Sequence, residues 1–359
     1  MATKPPRIYF AEQLAGEKPL SQRTASRLCG LAAEVLSFAP WEFLNEDHLV
    51  AVQLKKGAQP DFVSVLGALG EYRAIHVYPG LAGYAWYQDV TISTEEEKIA
   101  LLLAECEALQ LAFPDPQDIT DLDMEVMRGC RYPHVERAFQ FRSVRRGYVP
   151  WYPTDEEGKR LAGCLEAFAE FLRHTASDDL ARLWPEETNV MPMLHKHQGQ
   201  WGAGLVDINL ARVSEKRLWL PEERVAAWPA RRDPGALVVG DHVLPGSAGL
   251  ENERPAVLHL FAAVDARSGF AYPPELREPG TPLPAVMASA LANAIEQRGS
   301  TPDTVMVRYA RHAKPLEELA RVAGFKLKVR KQQPMLDELF GELDKVARRN
   351  GATGSGMIQ

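Results

Sequence analysis

In the run Phe325-Lys-Leu-Lys-Val-Arg330, cationic side chains alternate with apolar ones, so Lys326, Lys328 and Arg330 share one face of any strand the run forms. Arg308 and Arg311 lie just upstream, and from Val305 to Lys331 eight Lys and Arg stand against two Glu. A row of cations of this kind guards a sheet edge against pairing with another chain. It also suits contact with nucleic-acid phosphates, or with an acidic protein. His195 and His197, two residues apart, fall on the same side of a strand, a spacing that can seat a metal ion. No Cys or Asp nearby completes a ligand set, because Asp207 belongs to a different predicted strand, and the two read as histidines of an exposed strand.

Other chemistry is excluded by what the spacing lacks. Gly67 to Gly70 and Pro79-Gly80-Leu-Ala-Gly83 are not followed by the Lys-Ser/Thr pair of a phosphate loop, and both are expected as turns. There is no G-x-S-x-G, and Ser268 sits in an Arg-Ser-Gly turn, so serine catalysis is not expected. Tyr78, Tyr84, Trp86 and Tyr87 form an aromatic cluster that lines either a core or a cleft for a small molecule.

The elements that carry these residues follow from periodicity and punctuation. Ser21 caps a helix whose apolar positions, Leu28, Leu31, Ala32, Val35 and Leu36, recur at three and four, and Pro40 ends it. Leu49 to Leu54, Phe62 to Leu66 and Ala74 to Tyr78 read as an antiparallel meander. Thr94-Glu-Glu-Glu97 resembles a capping box, and the apolar run after it is open between helix and strand. Asp118 to Gly129 reads as a helix and Phe139 to Val144 as a strand. Thr154-Asp-Glu-Glu157 opens a long amphipathic helix with Leu161, Leu165, Phe168 and Leu172 on one stripe, and strands follow at Val190 to Leu194 and Leu205 to Leu210. Beyond Pro255 come strands at Val257 to Val264, Phe270 to Tyr272 and Leu276 to Glu278. A helix at Pro284 to Arg298, a strand at Thr304 to Arg308, a helix at Pro315 to Ala323, a strand at Phe325 to Arg330 and a last helix from Pro334 to Arg349 complete the alternation.

A chain of 359 residues exceeds a single core and should divide. The expected division is an α+β module with the meander over residues 1–220, a linker rich in Pro, Gly and charge over 221–254, an α/β module over 255–349, and a flexible tail over 350–359. The apolar share of 46% and charged share of 25% suit a folded protein. A net charge of −7 argues against a surface made throughout for phosphate backbones, so any such site is local. Cys29, Cys106, Cys130 and Cys164 include no C-x-x-C pair and are expected as reduced thiols in a cytoplasmic setting. Met1 to Phe10 lacks the apolar core of a secretory signal, and Ile99 to Phe113 is too short to span a bilayer, so no membrane association is expected.

Phe139 to Trp151 with Thr154 to Leu161, and Phe62 to Gly67 with Val77 to Gly80, resemble a module of uncharacterised bacterial proteins. Phe261 to Gly269, with the helix leading to Gly299-Ser-Thr-Pro302, resembles the module often joined to it. Both are domains of unknown function, and the resemblance implies a bacterial, two-module architecture and transfers no catalytic residues. The order of elements after Pro255 also resembles ribonuclease H and the integrases, whose fold cuts phosphodiesters with Mg²⁺ or Mn²⁺ held by three or four carboxylates. That resemblance implies Asp265 as the first metal ligand, with Glu338 and Glu342, one helical turn apart, facing it, whereas the residues themselves favour Asp265 as a structural acid that satisfies turn amides. The middle acid is missing, because the strand from Thr304 runs into Tyr309-Ala-Arg-His312. The leading expectation is therefore a non-enzymatic binding or regulatory protein with a macromolecular partner. The alternatives are a divergent metal-dependent nuclease and a small-molecule enzyme using the aromatic cleft.

Overall fold

The computed structural model describes residues 17–70, 72–93, 104–132, 138–175, 180–185, 189–197, 199–208, 218–248 and 254–351. The possible capping box at 94–97, the first part of the ambiguous run and the end of the tail lie outside them.

The first sheet has seven strands: β1 (Val50–Gln53), β2 (Asp61–Leu66), β3 (Arg73–Tyr78), β4 (Ala108–Phe113), β5 (Gln140–Val144), β6 (Val190–His197) and β7 (Gln200–Asp207), in the order β5-β4-β3-β2-β1-β6-β7. All pairs are antiparallel except β1 with β6. The meander forms as its alternation dictates, since Val63, Val65, Ile75, Val77, Leu109 and Leu111 all point to one face. Helices α1 (Gln22–Phe38), α2 (Gly80–Thr91), α3 (Asp121–Gly129) and α4 (Asp155–His174) surround this sheet, and Leu180–Leu183 adds a single helical turn, α5. The long helix α4 lies on the inner face with Leu161, Leu165 and Phe168 fully buried. Its start is the expected capping box, in which Thr154 accepts from the Glu157 amide and the Glu157 side chain accepts from the Thr154 amide.

Helix α2 covers the opposite face with Tyr84 and Trp86, and it replaces the turn expected at Pro79 to Gly83. Pro79 stands at the N-cap, where a missing N–H costs nothing. A Cβ on Gly83 would come within 2.8 Å of the Tyr78 carbonyl carbon, so the glycine is what lets the helix pack against β3.

The second sheet has five strands: β8 (Arg232–Ala248), β9 (Ala256–Asp265), β10 (Glu275–Leu276), β11 (Thr301–Val307) and β12 (Lys326–Val329), in the order β10-β9-β8-β11-β12. The first three run antiparallel, and β11 lies parallel to both β8 and β12. A short helix α6 (Glu222–Ala226) precedes them, and α7 (Leu283–Arg298), α8 (Ala310–Ala323) and α9 (Pro334–Gly351) alternate with the later strands. Strand parity splits the module into layers. Leu237, Val239, Phe261, Ala263, Val305 and Val307 face α7 and α8, whereas Val238, Leu260, Ala262 and Val264 face Leu336 and Phe340 of α9.

Two expectations fail in this half. The stretch expected as a linker supplies α6 and the central strand β8, and Val257 to Val264 therefore lies in the second strand of the module rather than the first. Pro and Gly concealed β8, yet Pro245 and Gly246 fall where its register with β9 shifts, a bulge that tolerates both. Phe270 to Tyr272 forms no strand, only an isolated bridge from Ala271 to Val264.

The modules meet at the Arg145-Arg146-Gly147 turn. The Val149 amide donates to Pro255 O and the Val257 amide to Gly147 O, both at 2.9 Å. Gly147 adopts φ 78°, and a Cβ there would lie 3.1 Å from Pro279 Cα, so both the turn and the approach require glycine. No helix among the described residues is long and apolar enough to cross a membrane.

Candidate functional site

Asp265 closes β9, but its carboxylate is engaged in the turn that follows. Oδ1 accepts from the amides of Arg267 and Ser268, each at 2.9 Å, and Oδ2 pairs with Arg298 Nη1 of α7 at 2.6 Å. Burial works to raise its pKa, and the Ser268 and Arg267 amides with Arg298 overcome it, holding the carboxyl below its ordinary value. Glu338 and Glu342 are exposed on α9, where Glu342 pairs with Lys345. Asp265 shares the α7 face of the sheet with Phe261 and Ala263, while α9 packs on the other face. The sheet thus separates the three carboxylates that the ribonuclease H resemblance would bring together. Among the described residues no group of three or more His, Cys, Asp or Glu is placed to hold a metal ion.

The acid at the heart of this sheet is Asp241, on the central strand β8, which sequence reasoning missed because that strand looked like a linker. Its side chain is 3% exposed. Oδ2 lies 3.0 Å from His259 Nε2 on β9 and 3.5 Å from Arg311 Nη2, and Oδ1 lies 3.3 Å from His312 Nε2 at the start of α8. Burial would raise the Asp241 pKa, but the charge of His312, the bond from His259 and the charge of Arg311 hold it well below the carboxylate range. The chain of contacts continues outward. Arg277, at the end of β10, approaches His259 Nδ1 at 3.3 Å and pairs with Glu105 of the first module, which also faces Arg146 at 3.5 Å. Because a guanidinium can only donate, the Arg277 contact makes His259 Nδ1 the acceptor and leaves Nε2 to donate to Asp241. The position is therefore filled by the protein's own cations, and the network ties the second module's core to the first.

The basic residues divide. Arg308 pairs with Asp337 of α9, and Arg311 turns inward over the Tyr309 ring toward Asp241, so neither belongs to an open cationic face. Lys326, Lys328 and Arg330 are exposed, and none is ion-paired among the described residues. Lys326 and Lys328 sit along β12, the last strand of its sheet, on the Met306 side, and Arg330 lies one residue past its end; α9 lies over β8 and β9, and among the described residues no element covers this edge. Alternate residues of a strand are about 6.6 Å apart, which spaces the charges evenly.

His195 lies on β6 opposite Gly202, and a Cβ on that glycine would come within 3.0 Å of the imidazole Nε2, so the ring occupies the space the glycine leaves. The side chain of His197 lies outside the described residues.

The aromatic cluster divides between core and cleft. Tyr84 stacks on Phe62 at 4.6 Å. Tyr78 and Tyr87, 5.6 Å apart, instead line a cleft of ≈ 680 Å³ with Tyr72, Trp86, His76, Cys106 and Gln110. Within it His76 Nδ1 is 3.4 Å from the Tyr78 hydroxyl, and the buried Nε2 meets no partner among the described residues. Burial lowers the His76 pKa to about 4 and pushes the Cys106 thiol up to about 12, and it raises the Tyr78 and Tyr87 hydroxyls as well. At neutral pH these four groups are uncharged, so none of the four is an activated nucleophile.

Residues 26–192 match a family described as a domain of unknown function, DUF7309, and residues 240–344 match a second domain of unknown function, DUF6930. No curated protein and no solved structure matches the chain.

Proposed function

Taking the chain as a two-module protein of uncharacterised families, we propose that it is a non-enzymatic binding protein whose second module holds a nucleic-acid strand along the edge strand β12. The observation that carries this reading is the row of exposed cations at Lys326, Lys328 and Arg330, none of them ion-paired among the described residues, in a protein of net charge −7. Their even spacing suits the successive phosphates of a single strand better than the irregular carboxylates of an acidic protein. The succession of β8, β9, β10, α7, β11, α8, β12 and α9 supports reading this module as a ribonuclease-H-like scaffold. The scattering of Asp265, Glu338 and Glu342, together with the neutralised Asp241, favours holding a strand over cutting it. Four cysteines outside any disulfide support a reducing, cytoplasmic setting.

The test is fluorescence anisotropy with a labelled oligothymidylate at rising salt. Three phosphate contacts to a single strand give a slope of log K against log salt of about −2, or roughly 15-fold weaker binding between 50 and 200 mM salt. Lys326→Glu with Lys328→Glu should remove most of the binding and flatten the slope. Binding that the double variant leaves unchanged would overturn the proposal. So would binding of an acidic polypeptide with no binding of the oligonucleotide, since that assigns the edge to a protein partner.

A further inference from the structure

The cleft beside α2 has a charge pattern that the β12 edge does not explain. Glu46 and Asp47 stand exposed at its rim, and among the described residues no Lys or Arg lines it. The Tyr87 hydroxyl donates to Glu46 O at 3.0 Å and approaches Asp47 Oδ1 at 3.3 Å, which ties the acidic rim to the aromatic wall. Leu66, Leu69, Tyr72, Tyr78, Trp86 and Val90 make the rest of that wall. Leu69, the most exposed large apolar side chain described at 91%, and Tyr72, at 44%, both stand at this one mouth. The volume of ≈ 680 Å³ falls within the range of small-molecule sites.

We propose that this cleft binds a small organic cation, an amine or ammonium group carried on a flat apolar body. Three features converge on that class. Carboxylates at a rim whose described lining holds no cation attract positive charge and repel anions. Tyr72, Tyr78, Tyr87 and Trp86 line the cleft, and aromatic rings, whose faces carry the negative side of the quadrupole, suit both a cationic head and a flat ring. The unpartnered Nε2 of His76 offers the ligand's polar edge one hydrogen bond inside the cleft. The cleft lies on the first module, so this reading stands independently of nucleic-acid binding along β12.

Two probes with the same ring and opposite charge test it: tryptamine and indole-3-acetate, titrated calorimetrically into the full chain. Tryptamine should bind at least tenfold more tightly, and Glu46→Gln with Asp47→Asn should erase the difference. Both positions are exposed, and the amide oxygen introduced by Asp47→Asn remains an acceptor for the Tyr87 hydroxyl, so the variant should fold; its melting curve checks this. The proposal fails if tryptamine does not bind at millimolar concentration, if the two probes bind equally, or if the preference survives in the double variant.

Discussion

Replacing Asp241 by Asn removes one charge and almost no volume, and its effect distinguishes a carboxylate built into the fold from one kept for chemistry. The side chain is 3% exposed and stands 3.0 to 3.5 Å from His259, His312 and Arg311. Asn can still accept from His259 Nε2, so the loss falls on Arg311 and His312, left without their counter-ion. Breaking a buried ion pair from one side costs about 3 to 5 kcal/mol. The Arg311 side chain retains 18% exposure and can recover some hydration, which puts the expected loss near the lower end, about 3 kcal/mol. That corresponds to a fall in melting temperature of roughly 6 to 12 °C for a cooperative unit of 150 to 250 residues. The pH dependence has a definite sign. The folded pKa of Asp241 is depressed, so its stabilisation is present above the unfolded carboxylate value and is lost as pH falls through the folded one. Wild-type and variant stabilities measured by urea unfolding should therefore differ at pH 7 and converge in acid below about pH 4. Arg311→Met added to Asp241→Asn should return part of the loss, because the stranded charge goes with it. Acids retained for function at the expense of stability behave in the opposite way, and their neutralisation raises stability. A variant as stable as wild type at pH 7, or more so, would refute the structural role assigned to Asp241.

Two further outcomes follow from the same geometry. Arg277→Met leaves Glu105 facing Arg146 alone and removes the 3.3 Å contact to His259, so urea unfolding should show a loss of about 3 kcal/mol, with the two modules melting further apart in calorimetry. Ala39 terminates α1 at φ 47°, a left-handed conformation that suits glycine, and Ala39→Gly should stabilise the protein by about 0.5 to 1 kcal/mol in the same assay.

What the sequence disclosed depended on how local the cause was. The caps at Ser21 and Thr154 and the alternation of Val63, Val65, Ile75 and Val77 are decided within a few residues, and those elements stand where their patterns put them. Helix α2 was hidden because Pro79, Gly80 and Gly83 look like breakers, whereas one serves as the cap and Gly83 makes room for Tyr78. Strand β8 was hidden because its burial comes from β9 and β11, which are far along the chain, and not from its own composition. With β8 unrecognised, the Val-rich run Val238-Val-Gly-Asp-His-Val-Leu244, whose β propensity marks Asp241 as a strand residue, went unused. The network around it draws on β8, β9, β10, α8 and the first module, so no sequence spacing encodes it. Of the five cations singled out, Lys326, Lys328 and Arg330 are exposed, the first two on β12 and Arg330 just past its end. Arg308 and Arg311 were counted with them by proximity alone, and tertiary partners claim both.

The central claim is that the second module holds a strand without cutting it. Labelled single-stranded DNA and RNA incubated with the protein in Mg²⁺ or Mn²⁺, and resolved on a denaturing gel, test it most directly. Both strands should remain intact while a parallel anisotropy measurement shows salt-sensitive binding. Cleavage that disappears in Asp265→Asn or Asp241→Asn would contradict the account.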